Sequence, residues 1–192
     1  MPNTPLLEHW RAVPALHRRW ILVNSVIISG VWNLFINGFI AWVSSKGHGH
    51  IGLWTTPLLG GPNLLIDTFG TLYLLPLTTC IGVMIGVRQA KRKGQLHNLE
   101  DHQKGPRWLT DVPTTFLRRA NRFGLMVLLP LGPIATIVLS IGFHSGIERS
   151  TFVVYKAVIG VLLGLIVTPF IALSAMGDEH IAGEGIFVNP GQ

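Results

Sequence analysis

The chain has 192 residues, of which 48% are hydrophobic and only 12% are charged, with a formal net charge of +6. Soluble domains carry about 25% charged residues. Half that share, with a mean hydropathy of +0.46, argues against an ordinary soluble globule and points to an integral membrane protein. The positive charge does not signal nucleic-acid binding. Nine of the 15 Lys and Arg residues lie between Arg88 and Arg122, flanking apolar runs. That is how topology signals are placed, and no nucleic-acid recognition motif accompanies them. A single cysteine, Cys80, rules out an intrachain disulfide and CxxC redox chemistry.

Residues 1–19 contain three prolines, with Leu6, Leu7, Trp10, Val13 and Leu16 at helical spacing beside Arg11, Arg18 and Arg19. This predicts either a short segment lying in the membrane interface or a loosely ordered tail. It does not read as a cleaved leader, because the apolar run that follows is too long for one. Trp20–Trp42 is the first predicted crossing, with an indole at each end, where amphipathic rings favour the interface. Ser25, Ser29, Asn33, Asn37 and Ala41 recur every four residues within it. On a helix they form one slowly winding stripe that should face protein rather than lipid, either as packing contacts or as the lining of a substrate path.

Residues 43–63 hold five glycines and two prolines and read as a loop. His48 and His50 form an HxH pair there, and with His144 they are weak metal-ligand candidates. A metal site would need further ligands in fixed geometry. Leu53–Leu59 is apolar enough to dip into the interface. The second crossing, Leu64–Val87, is an apolar run of 24 residues, long enough to span a bilayer. Asp67, Thr71, Leu74, Thr78 and Gly82 share one face of it. Pro76 should bend the helix, with Thr78 and Thr79 available to satisfy freed backbone groups.

Residues 88–122 form the only sizeable predicted loop. Its second half starts at Asp111–Pro113, and Phe116, Leu117, Ala120 and Phe123 lie at helical spacing beside Arg118, Arg119 and Arg122. This predicts an amphipathic helix on the cytoplasmic surface, its three arginines facing lipid phosphates or a protein partner. The third crossing is Phe123–Phe143, containing Pro130 and Pro133. FGTLYLLPL at 69–77 and FGLMVLLPL at 123–131 agree at six of nine positions. The likeness stops there and reads as coincidence in apolar text. The fourth crossing is Phe152–Ala175, where Lys156, Gly160, Gly164, Thr168 and Ala172 make another four-residue stripe. Gly160 and Gly164 are a GxxxG pair suited to close helix approach, and Ser25, Ser29 and Gly82 are further candidates for helix packing.

The fold expected is therefore all-α: a polytopic four-transmembrane-helix bundle with an amphipathic cytoplasmic loop helix, in one membrane domain covering residues 1–192. The basic middle loop and N-terminal tail place both termini in the cytoplasm, and size suggests a bacterial inner membrane. Asp67, Lys156 and Asn37 should lie at similar depth on the polar stripes of their helices, with Asn33 and Thr71 deeper. Intramembrane acids and bases tend to pair or line a cavity, although a lysine near a helix end can also snorkel to the interface. Enzyme chemistries that need histidines inside crossings, an HExxH pattern or paired cysteines find no support, and no cofactor is implied. Two functions fit. One is a non-catalytic accessory, assembly or scaffold subunit, with the bilayer and another membrane protein, or a second copy, as partners. The other is a small oligomeric transporter or channel using the Asp67/Lys156 cluster.

Overall fold

The computed structural model describes residues 6–54, 62–100, 103–104, 106–113 and 115–178. In chain order the elements are α1 (Leu6–Ala12), α2 (Ala15–Trp20), a π-helical turn (Ile21–Ile27), α3 (Ile28–Ser44), β1 (His50–Ile51), α4 (Leu64–Arg92), α5 (Arg107–Thr110), α6 (Phe116–Gly142), β2 (Ile147–Glu148) and α7 (Arg149–Met176). Four continuous helices, Ala15–Ser44, Leu64–Arg92, Phe116–Gly142 and Arg149–Met176, are long and apolar enough to cross a membrane.

Each helix is longer than the apolar run that announces it. The first absorbs α2, because nothing between Ala15 and Trp20 breaks a helix once Pro14 has set the start. The third begins seven residues early, at Phe116. The expected surface helix is therefore not a separate element. Ala120, Asn121 and Arg122 all tolerate helix, so the arginine-bearing turns run straight on into the apolar segment. Arg119 also departs from its expected lipid- or partner-facing role. It is 1% exposed, while Arg118 is exposed and Arg122 donates to the Asp111 carbonyl at 2.7 Å.

Neighbour relations follow from where small and polar residues fall. The first helix packs on α7, α7 on α4, and α4 on α6. The first and third helices thus flank a central α4/α7 pair, and the arrangement is more a bent row than a square bundle. At the α3–α7 seam, Asn37 lies over Gly160 and Asn33 over Gly164; a Cβ at Gly160 would sit 2.6 Å from Asn37 Nδ2, and one at Gly164 2.7 Å from Asn33 Nδ2. Ser29 and Thr168 hydroxyls meet at 3.3 Å further along. At the α4–α6 seam, Gly124 lets the helices close, since a Cβ there would lie 2.9 Å from the Tyr73 carbonyl. Thr68 and Tyr155 hydroxyls join α4 to α7 at 2.9 Å. Outward faces remain apolar, with Phe35, Phe39, Ile137 and Ile141 all well exposed.

The two ends are closed differently. At one, β1 and β2 pair antiparallel, His50 opposite Glu148. Arg149 reaches the Ser45 hydroxyl at 3.2 Å and the Trp42 carbonyl at 3.1 Å. Gly146 takes a positive φ of 89° beside the Ile51 carbonyl, where a Cβ would collide. Asn63 caps α4, accepting from the Leu65 and Ile66 amides at 3.1 Å each. At the other end the loop segments fold over the helices. Leu96, Leu99, Leu109 and Val112 join Val13, Met84, Ala120 and Ile171 in the largest buried cluster. Arg119 makes a two-pronged ion pair with Asp178, both bonds at 2.7 Å, and donates to the Pro113 carbonyl at 3.0 Å. Lys91 donates to the Met176 and Asp178 carbonyls at 2.8 Å, satisfying acceptors that the end of α7 leaves open.

The seam makes a paired prediction. Gly160→Val should destabilise the protein by about 1–3 kcal/mol through overpacking against Asn37. Gly82→Val, where a Cβ meets nothing within 4 Å, should change stability by less than about 0.5 kcal/mol. Thermal unfolding in mild detergent reads both.

Candidate functional site

Space is left where two helices fail to meet. The first helix leans on α7 rather than α4, and a groove of about 850 Å³ opens between α3 and α4, with Lys156 of α7 at its back. It runs from Asn37, Ile40 and Asp67 at the β-ribbon end to Trp20, Gln89 and Lys93 at the basic end. From Asp67 to Gln89 that is about 33 Å along α4, close to the thickness of a bilayer's hydrocarbon core.

The polar cluster read from the sequence sits in this groove: Asp67, Lys156, Asn37, Asn33 and Thr71 all line it. Asp67 and Lys156 are ion-paired across the α4–α7 contact. The Lys156 ammonium also lies 3.5 Å from the Asp67 backbone carbonyl. Lys156 is 5% exposed. It therefore does not snorkel; its charge is compensated in place, as burial requires. The start of α7 at Arg149 puts Lys156 about 10 Å along its helix, deeper than expected from a start at Phe152. Thr71 donates back to the Asp67 carbonyl at 2.8 Å. Asn33 donates to the Ser29 hydroxyl at 3.1 Å and Asn37 to the Asn33 carbonyl at 2.9 Å.

The packing candidates divide. Gly160 and Gly164 lie in the α3–α7 seam, and Ser29 joins it. Gly82 lines the groove with open space in front of it, as does Gly70. The side chain of Ser25 lies outside the described residues, as do residues 55–59 of the apolar Leu53–Leu59 stretch and the acidic tail beyond Asp178. Thr78 bonds the Leu74 and Leu75 carbonyls at 2.9 and 3.1 Å, not the Leu72 carbonyl that Pro76 frees. His48, His50 and His144 are all exposed; His50 Nε2 is 2.7 Å from the Ser145 carbonyl. Among the described residues no group of three or more His, Cys, Asp or Glu side chains converges on a point where a metal could sit.

Two parts of this arrangement had no readable signal. The Arg119–Asp178 pair joins residues 59 apart, and nothing local marks Asp178 as the acid that would turn one arginine of three inward. The groove exists because α3 chooses α7 over α4, a choice between two small-residue faces of equal appearance. No known protein family, no curated protein and no solved structure matches this chain.

If the ion pair is a unit, its two halves are not independent. Asp67→Asn and Lys156→Met should each destabilise by more than the double variant does, with a coupling of about 1–3 kcal/mol. Additive losses in the four-member cycle would show that the two side chains do not act together.

Proposed function

We propose that this chain is a non-catalytic integral membrane protein that serves as an accessory, assembly or scaffold subunit, and that its working surface is the groove between α3 and α4. One observation carries the reading: α3 and α7 close a glycine seam on each other, with Asn33 and Asn37 also bordering the groove, while the stripe of α4 faces that groove, which is open sideways. A face of threonines and glycines turned toward hydrocarbon fits a place where another membrane component comes to rest. The described chain has little mass outside its four long helices with which to build a separate catalytic site.

The transport reading keeps one specific support. All five members of the polar cluster border a single cavity of ligand-holding size, and its charged pair stands near one mouth. In that reading a second copy would close the open side.

The orientation proposed places both termini in the cytoplasm of a bacterial inner membrane. The β-ribbon end carries only Lys46 and Arg149 among its loop bases, against the nine of residues 88–122.

Two measurements test these proposals. A tagged chain extracted from its native membrane in mild detergent should appear by native mass spectrometry with a different protein in fixed ratio. A homo-oligomer retaining a small ligand would instead favour transport, and Asp67→Asn should then lower flux at least tenfold. For orientation, Lys46→Cys should react with a membrane-impermeant maleimide on intact cells and Lys93→Cys should not; the reverse pattern would invert the topology.

A further inference from the structure

We infer that the α3–α4 groove receives a single transmembrane helix of another protein, one that presents small residues and a pair of hydroxyl-bearing side chains one turn apart. This deepens the accessory reading and rests on it.

The first support is dimension. The groove is about 33 Å long, the length of about 22 helical residues. Spread over that length, its 850 Å³ give a mean cross-section of about 26 Å², against about 80 Å² for a helix of 10 Å diameter. A helix cannot be swallowed whole. It can lay one ridge of side chains into the groove, as helices pack. A compact solute would leave most of the length empty, and the tail of a lipid reaches only through its own leaflet, about half the 30 Å core.

The second support is hydrogen bonding. Asn33 and Asn37 are more than nine-tenths buried, at 9% and 7% exposed, and both border the groove. Each spends an amide hydrogen on its own helix, and neither amide oxygen accepts a bond from any described residue. The only fully enclosed side-chain polar atom without a partner among the described residues is His17 Nδ1. The two oxygens are therefore reachable, and the groove is the space that both residues line. Hydrocarbon holds no water to satisfy them. Two acceptors four residues apart on α3 lie about 6 Å apart along its axis. Serine or threonine hydroxyls at the same spacing on a neighbouring helix match them; an acyl chain at that depth brings no donor.

The third support is the opposite wall. Gly70 and Gly82 of α4 border the groove, and a Cβ at either would meet nothing within 4 Å. Elsewhere in this chain glycines at seams are covered, Gly124 by Tyr73 and Gly160 by Asn37. The two uncovered glycines leave room for an incoming backbone.

The test uses the full chain with Thr78→Cys in phosphatidylcholine vesicles and two synthetic helices of 22 residues. Both are leucine-rich with one cysteine. One carries serines at i and i+4 beside glycines on the cysteine's face; the other carries leucine at those positions. With copper–phenanthroline and air as the oxidant, the serine peptide should form a disulfide with the chain at least fivefold faster than the leucine peptide. The unmodified chain, whose Cys80 is buried, should form none with either. Gly82→Leu fills open space, so the thermal midpoint should hold while the serine peptide's rate falls to that of the leucine peptide. Asn33→Leu with Asn37→Leu should remove the same preference. Equal rates for the two peptides would overturn the inference. So would a rate untouched by Gly82→Leu, or a chain that crosslinks to its own second copy and excludes the peptide. A fixed-ratio partner in purification without any peptide preference removes this inference alone. Peptide selectivity without a partner removes the accessory reading alone.

Discussion

The seam between α3 and α7 depends on a steric condition: amide side chains on one helix need glycines on the other. Asn33 and Asn37 are too polar to face hydrocarbon and too large to bury against ordinary residues at close range. Gly164 and Gly160 supply the missing volume, and the fit is tight enough that a single methyl at either would overlap an amide nitrogen. Ser29 and Thr168 extend the same contact toward the basic end. In water such a seam would compete with solvent for every hydrogen bond. In a bilayer the alternative would be an unsatisfied polar group, and there the contact would select the helix partner as well as hold it.

That selection fixes the rest of the architecture. With α3 committed to α7, α4 must bury its other faces on α7 and α6. It does so through Thr68 to Tyr155 on one side and Tyr73 against Gly124 on the other. The Asp67–Lys156 pair stands where α4 meets α7 beside the groove. It compensates a deep lysine and ties the back wall of the groove to its side. At the basic end, Arg119 and Lys91 hold the segment at Asp178 against α6 and α4. The positive residues of that end therefore do two kinds of work. Some mark the loop as basic, and two are structural fasteners with carbonyl and carboxylate partners.

The sequence made the coarse architecture legible because helices able to span a bilayer must be long, apolar and internally hydrogen-bonded. Four runs announced four helices, and the stripes on α3 and α7 marked faces that do pack. The Asp67–Lys156 pairing could be argued from depth alone. Other features could not be read. The inward turn of Arg119 depends on an acid beyond the end of α7, which no local pattern reveals. The π-helical turn at Ile21–Ile27 joins two helical segments with no proline or glycine to mark it. The short β-ribbon pairs residues from loops 95 or more positions apart, and glycine-rich text only says loop.

Faces of small residues look alike in a sequence and differ in whether they are filled. The stripes of α3 and α7 meet along the glycine seam; on α4, Asp67 is paired with Lys156, while the face from Thr78 to Gly82 lines the open groove. Gly70 belongs to the same groove, whereas Gly124, its counterpart in the repeated FG–LLPL text, is pressed against Tyr73. The two copies of that text occupy α4 and α6, which pack on each other, so the repeat does not create two equivalent surfaces. One glycine is spent on the fold and one is left over. A surplus of close-approach positions on a single face, beside acceptor oxygens that no described residue satisfies, is what the proposed partner helix would complete.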